Sequence, residues 1–305
     1  MRVLITGAAG FIGSNLADYL LCLGHRVIGI DDLSYGVFSQ IPSNVDFHQL
    51  DIRSENIFPL FNGVDTVFHL AAKNSVCDCQ LDPVATTDIN VVGTTNVFEA
   101  SCQSKVPLVV YAESAAIYEN VNIYPTPETK ESPQSYYAVS KYCNALFAKA
   151  YNRFYGMNTV GLRYFNIYGA RQDYRKQIPP VMSAFIIKLL QGERPLIYGD
   201  GSKLRDFLHV DDLNAFHSLL MQSRLEGHHT FNVGSGVNYS VSQIYSLIEE
   251  ILQTGITPIY RPDMPGEAET SLADISKAKS LGWEPKIDIH QGLRRSIEYI
   301  KSTAL

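Results

Sequence analysis

The chain has 305 residues, 46% hydrophobic and 18% charged, with a formal net charge of −6. That is enough for two domains or one large one with a substantial core, in an ordinary globular composition. No Lys/Arg-rich run stands out and no apolar run approaches the roughly eighteen residues of a membrane span, so neither a nucleic-acid nor a membrane partner is expected.

The opening stretch, MRVLITGAAGFIG, reads as a strand followed by a glycine-broken turn rather than as a signal peptide. A cytoplasmic protein is expected. Its cysteines (Cys22, Cys77, Cys79, Cys102 and Cys143) are odd in number and irregularly spaced, which suits free thiols in a reducing compartment. Cys77-Asp78-Cys79 has no second ligand pair at zinc spacing, so no metal is expected.

In chain order, RVLITG is a strand and FIGSNLADYLLCLG carries apolar residues at helical spacing. RVIGID, VDFHQLD, VDTVFHLAA and PLVVYAES read as further strands. Helical segments are expected at about 82–103 and 136–156, with MNTVGLRYF as a last strand. The alternation predicts an α/β fold, a doubly wound parallel sheet of the Rossmann type with helices on both faces. After about Phe165 the pattern breaks into short elements around Pro179-Pro180, YGDGSKLRDF, NVGSG and RPDMPGEAE. Two domains follow: a dinucleotide-binding domain at 1–165 and a smaller mixed α/β substrate-binding domain at 166–305, with room for segments that cross back.

Two patterns carry chemistry. In the first, the strand VLIT runs straight into Gly7-Ala8-Ala9-Gly10-Phe11-Ile12-Gly13, and a helix follows. Glycines let the backbone approach a pyrophosphate, and the helix start offers free N–H groups and a positive dipole end. The spacing is G-x-x-G-x-x-G, which a plain glycine-rich turn could also produce. Asp31, at the end of the second strand, adds context: a carboxylate there can accept bonds from both ribose hydroxyls and would repel a 2′-phosphate, which favours NAD over NADP. Asp51-Ile52, after the third strand, is placed to reach the adenine, or is a simple turn.

In the second pattern, Tyr137-Ala138-Val139-Ser140-Lys141 sets a phenol and an ammonium at i and i+4, on one face of a helix. The ammonium favours the phenolate, and a cationic nicotinamide would favour it further. Tyr137 then becomes a usable base near neutral pH. Ser114, at the end of the strand PLVVYAES, is the natural third member.

These residues resemble the extended short-chain dehydrogenase/reductase superfamily. Within it they resemble the NAD-dependent sugar-nucleotide epimerases and dehydratases, of which UDP-glucose 4-epimerase is the prototype. INVVGTTNVFEA, LRYFNIYGARQD, IYGDGSKLRDFLHVDDL, FNVGSG and ADISKAKSLGWEPK extend the likeness over nearly the whole chain. The resemblance implies that Tyr137 is the base, that Lys141 tunes it and binds the nicotinamide ribose, and that Ser114 bonds the sugar 4-hydroxyl and relays its proton. Gly7, Gly10, Phe11, Ile12, Gly13, Asp31, Asp32, Asp51, Ile52, Leu70, Ala71, Ala72 and Tyr164 would line the cofactor. Asn166 and Arg205 would hold the nucleotide diphosphate of a UDP-sugar, Tyr198 would lie against its base, and Gln177 would touch substrate. Arg205 could instead form a surface ion pair with Asp206, and Tyr198 could be core packing. A homodimer through the helices near 88–103 and 137–156 is a further implication.

Ala115 and Ala116 narrow the chemistry. The 4,6-dehydratases of this family carry an Asp-Glu pair at these positions, and the 3,5-epimerases a cysteine at the second. Their replacement by alanine leaves the Ser-Tyr-Lys set that 4-epimerisation through a 4-keto intermediate needs. Glu113 stands where the epimerases commonly have serine. On a strand it points away from Ser114, as a structural hydrogen-bonding group, or it is an extra acid for elimination. Met264 stands where many members have a phosphate-binding arginine and uronate 4-epimerases often have methionine. An NDP-sugar dehydratase using Glu113 and a UDP-uronate 4-epimerase are therefore the alternatives on this scaffold. A catalytically dead dinucleotide sensor is the alternative from another class, although the chain keeps both Tyr137 and Lys141.

Overall fold

The computed structural model describes residues 1–172, 179–263 and 268–303. The strands are β1 (Arg2–Thr6), β2 (Arg26–Asp31), β3 (Asp46–Gln49), β4 (Thr66–His69), β5 (Leu108–Ser114), β6 (Thr159–Tyr164), β7 (Asn166–Tyr168), β8 (Leu196–Tyr198), β9 (Leu204–His209), β10 (His228–Val233), β11 (Asn238–Ser240) and β12 (Ile259–Arg261). The helices are α1 (Phe11–Cys22), α2 (Val76–Leu81), α3 (Pro83–Thr87), α4 (Thr94–Gln103), α5 (Tyr136–Tyr155), α6 (Val181–Leu190), α7 (Val210–Gln222), α8 (Val241–Leu252), α9 (Ser276–Ser280) and α10 (Ile289–Thr303). None of them is long and apolar enough to cross a membrane.

The chain divides into two compact units. The first comprises residues 1–122, 128–164 and 214–232; the second comprises 123–127, 165–213 and 233–305. The chain first leaves the first unit for a short excursion at Ile123 and leaves it again after Tyr164.

The first unit is built on a sheet of order β10-β6-β5-β4-β1-β2-β3. β1 pairs in parallel with β2 and β4, β2 with β3, β4 with β5, and β5 with β6. Its central strands are apolar on both sides, as a sheet covered by helices requires: Val3, Leu4 and Ile5 of β1 are fully buried, as are Val67 and Phe68 of β4. Alternation along β4 sends His69 towards Phe98 of α4 and Phe68 towards His217 of α7, on opposite faces. This is the doubly wound Rossmann arrangement.

Strand order reverses between β1 and β4, so the carboxyl ends of these strands form the edge where such sheets take ligands. Gly7 and Leu70 stand just beyond those ends, and Ser114 is at the carboxyl end of the neighbouring β5.

The single helix expected at 82–103 is instead divided. α3 passes into a π-helical turn at Asp88–Gly93, and α4 continues from there. Two tertiary demands act within the wide turn. The side chain of Asn90 bonds both the N–H and the C=O of Lys73, and Gly93 lies so close to Ile52 that a Cβ would fall 2.6 Å from Ile52 Cδ1. Local periodicity carries neither signal.

The second unit holds a three-stranded sheet, β11-β9-β7, and a two-stranded one, β12-β8. β9 pairs in parallel with β7 and antiparallel with β11. Phe185, Ile186 and Leu189 of α6, Ile244 and Ile248 of α8, and Leu293 and Ile297 of α10 fill one core with Ile197. Each such side chain contributes about 1.5–3 kcal/mol by leaving water.

Candidate active site

Thr6 starts the site. Its hydroxyl bonds Nδ1 of the buried His69 at 2.7 Å and accepts the N–H groups of Leu70 and Ala71. His69 Nε2 meets the Thr94 hydroxyl at 2.8 Å, and that hydroxyl donates to Asn90 O. Burial holds the His69 imidazole down to about 3, so it stays neutral and serves as a fixed strut under the Leu70-Ala71-Ala72 segment.

The glycines of the turn differ in purpose. Gly7 has φ +73, and a Cβ there would lie 2.7 Å from Ala71 N; at Gly13 it would lie 2.1 Å from Gly7 O. The protein's own backbone demands both. Gly10 has an ordinary extended backbone, and its Cβ would meet only Gly7 O, at 3.3 Å. Gly10 therefore leaves space that the folded chain itself does not fill. It is also the N-cap of α1, which has neither a side-chain cap nor an acidic residue in its first turn. The first N–H groups of α1 and its dipole thus face that space, which fits a pyrophosphate.

Asp31 is buried beside this turn. Oδ2 accepts Ala9 N–H at 3.0 Å and Oδ1 accepts Leu33 N–H at 2.9 Å. Burial raises its carboxyl, and the two backbone bonds oppose that. Each oxygen keeps acceptor capacity for a ribose hydroxyl. Asp32 is exposed and engaged by Ser34. Asp51 binds Arg53, which also pairs with Asp88; the hydrogen bond from Arg53 holds the Asp51 carboxyl below its usual range. The side chain of Ile52 belongs to the core, so only its backbone is left for a ligand.

Ser114 closes β5 and caps the turn Ala115–Tyr118, its Oγ accepting Ala116 N–H at 3.2 Å. It stands close enough to the Tyr137 phenol to act on its titration. Burial pushes that phenol up to about 12, Ser114 pulls it down, and Cys79 adds a small upward push. Lys141, one turn on along α5, is buried and donates from Nζ to Ala112 O at 3.0 Å. Burial brings its ammonium down to about 8, against the opposing pull of Glu113 and Cys79. Ser114, Tyr137 and Lys141 are therefore gathered at one place, as a phenol awaiting a positive neighbour and an ammonium held near its titration point.

The frame around α5 is tight. Ser135 caps it by accepting Ala138 N–H, and Glu119 accepts Gln134 N–H, Ser135 N–H and the Ser135 hydroxyl. Ser140 donates to Tyr137 O and accepts from Asn90, tying α5 to the π turn.

Glu113 faces away from Ser114. Its Oε1 accepts from Tyr111 and its Oε2 from Arg163 Nε, both at 2.8 Å, and both members of the ion pair are buried. Tyr164 shares a 2.8 Å hydrogen bond with His217 Nε2; burial raises the phenol and lowers the imidazole to about 3.

In the second unit, Asn166 donates to Asp206 O at 2.9 Å. Asp206 is fully buried and accepts bonds from Ser235, Gly236 and Ala273, so it is not a surface partner for Arg205. Tyr198 is 41% exposed and so is not core packing. Gln177 and Met264 lie outside the described residues. Sequence reasoning missed Arg163, Glu119, His217, Thr6 and Asn90. A charge inside the apolar strand MNTVGLRYF was the available signal for Arg163.

The fold and these sites define a dinucleotide-binding enzyme with a Ser-Tyr-Lys set. A family model described as the NAD dependent epimerase/dehydratase family matches residues 3–234. The chain is 34% identical over 313 residues to UDP-glucose 4-epimerase of Mycolicibacterium smegmatis, covering 99% of each. It is 32% identical over 317 residues to UDP-glucuronate 4-epimerase of Thermodesulfobacterium geofontis, covering 98% of this chain and 95% of that one. A solved structure of UDP-glucose 4-epimerase from Thermotoga maritima with UDP-glucose superposes with a TM-score of 0.96, at 36% identity and with full coverage of both chains. The chain belongs to the NAD-dependent epimerase/dehydratase family.

Proposed function

We propose that the chain is an NAD-dependent 4-epimerase of a UDP-sugar, working through a transient 4-keto intermediate. The observation that carries this reading is the content of the β5 end. Ser114 closes β5, Ala115 and Ala116 bring no acid, and Glu113 is bound to Arg163 and Tyr111 on the opposite face. A dehydratase needs an additional acid to expel water, so this arrangement disfavours elimination. NAD held by the first unit would supply the hydride acceptor and donor that oxidation and reduction at C4 require. Tyr137 takes the proton of the 4-hydroxyl, with Ser114 holding that hydroxyl and relaying the proton, and gives it back on reduction. Lys141 in its charged form stabilises the phenolate.

In this reading the first unit holds the cofactor through Gly7, Gly10, Phe11, Ile12, Gly13, Asp31, Asp32, Asp51, Ile52, Leu70, Ala71, Ala72 and Tyr164. Asn166, Tyr198 and Arg205 recognise the nucleotide, and Gln177 touches substrate. The relative named for UDP-glucuronate keeps a UDP-uronate as the second candidate substrate. A cytoplasmic homodimer completes the proposal. It is supported by the free cysteines and by exposed apolar residues on α5, including Leu146, Phe147 and Phe154.

The test is proton NMR of the purified protein with UDP-glucose, UDP-galactose, their N-acetyl forms and the corresponding uronates, run beside Tyr137→Phe. Inversion at C4 that is lost in Tyr137→Phe supports the reading. Equal turnover by the variant overturns it.

A further inference from the structure

We propose that Arg163 is a positioning residue that sets the placement of Ser114 relative to Tyr137. The inference rests on the functional reading above, in which those two residues handle the proton.

Arg163 lies on β6 directly opposite Glu113 in register, and it is 1% exposed. Every nitrogen of its fork is engaged. Nε donates to Glu113 Oε2 at 2.8 Å, Nη1 to the Tyr118 hydroxyl at 2.8 Å and to Glu128 O at 2.7 Å, and Nη2 to Glu131 Oε1 at 2.9 Å. The guanidinium also lies over the Tyr118 ring, 5.1 Å from its centroid.

These partners fall into two groups. Glu113 immediately precedes Ser114 on β5. Tyr118, Glu128 and Glu131 belong to the connection that leaves Ser114 and arrives at Tyr137. Near the start of the same connection, Glu119 fastens it to Gln134 and Ser135, the residues that lead into α5. One planar cation therefore holds the strand that ends in Ser114 and the connection that delivers Tyr137. A second fork-shaped contact is built on Tyr118, whose hydroxyl donates to Asn232 Oδ1 at 2.6 Å, while Asn232 N–H donates to Glu128 Oε1 at 2.9 Å.

A buried ion pair of this kind is a poor source of net stability, because desolvation offsets most of the attraction. What its fixed, multiply bonded geometry gives is a defined separation. Separation matters here because Ser114 and Tyr137 stand at the two ends of a long connection, one closing β5 and the other opening α5. A misplacement of about 1 Å at a reacting centre can cost about 10²-fold in rate.

The experiment is a set of steady-state measurements on Arg163→Met, Arg163→Lys, Ser114→Ala and the Arg163→Met/Ser114→Ala double variant, with Tyr137→Phe as reference. Folding is checked by near-UV circular dichroism and by cofactor content. Arg163→Met should lower kcat by about 10–100-fold, with KM and cofactor content near wild type, and Arg163→Lys should recover part of the loss. In the Ser114→Ala background, where the hydroxyl to be placed is already gone, removing Arg163 should cost far less. If Arg163→Met does not fold, Glu131→Gln removes a single arm of the fork and should show the same non-additivity with Ser114→Ala at a smaller loss. An unchanged kcat in the folded Arg163 variants, or an equal fold-loss in both backgrounds, overturns the positioning role while Tyr137→Phe stays inactive. An active Tyr137→Phe overturns the functional reading beneath it.

Discussion

A Cβ on Gly161 would fall 1.9 Å from Oε1 of Glu113: the bare backbone of β6 makes the room that the Glu113 carboxylate occupies beside Tyr111. The two positions explain each other. Glycine inside a strand weakens it unless something else must come close, and here a buried carboxylate does.

Gly161→Ala should therefore behave as a cut to the Glu113–Arg163 pair rather than as a simple strand substitution. Breaking a buried ion pair costs about 3–5 kcal/mol, whereas alanine in an open strand position costs little. Urea unfolding should show the larger loss. A stability within about 0.5 kcal/mol of wild type, the range of a neutral surface change, would show that the carboxylate moves aside freely.

In the proposed reading, cofactor choice follows from Asp31. Its oxygens already take the N–H groups of Ala9 and Leu33, and their remaining acceptor capacity suits hydroxyls and repels phosphate. Purified protein should carry NAD(H) and turn over without added cofactor. Titration of cofactor-depleted protein should give tighter binding of NAD than of NADP, and the opposite order contradicts the assignment.

Lys141 links stability to pH. Its folded pKa, about 8, lies below its ordinary 10.5, so between these values the unfolded chain binds more protons and stability rises with pH. Below about pH 8 the buried ammonium imposes its full cost. Lys141→Met should be more stable than wild type by about 1–3 kcal/mol at neutral pH. The gain should shrink as pH rises from 8 to 10.5, and turnover should be lost throughout. Denaturant midpoints at pH 7 and pH 10 check the sign; a gain that grows with pH contradicts it.

Much of this was legible in the sequence because its signals are local. The Gly7–Gly13 turn, the strand ending in Asp31, and the i and i+4 pair on α5 each depend on residues a few places apart, and the structure places α5 at Tyr136–Tyr155. Strand alternation gave the direction of Glu113 but not its partner, which lies on the neighbouring strand and is fixed by register. The π turn at Asp88–Gly93 holds an asparagine bound to the backbone of Lys73, a distant partner that periodicity does not encode. The excursion of 123–127 into the second unit rests on pairings such as Thr126 with Ala273, equally remote in sequence.

Glu113→Gln separates the two chemistries the scaffold offers. The amide keeps the shape but weakens the bond to Arg163. The variant should lose stability and some rate, and the mass of its product should be that of the wild-type product. Loss of a dehydrated species specifically in this variant would instead make Glu113 an acid.

The most direct measurement is mass spectrometry joined to proton NMR on the product formed from a UDP-hexose by the wild-type protein. With Ser114, Tyr137 and Lys141 as the proposed catalytic set, the product should have the mass of the substrate and differ from it in C4 configuration alone. A main product lighter by one water, or one with unchanged C4 configuration, would contradict the account.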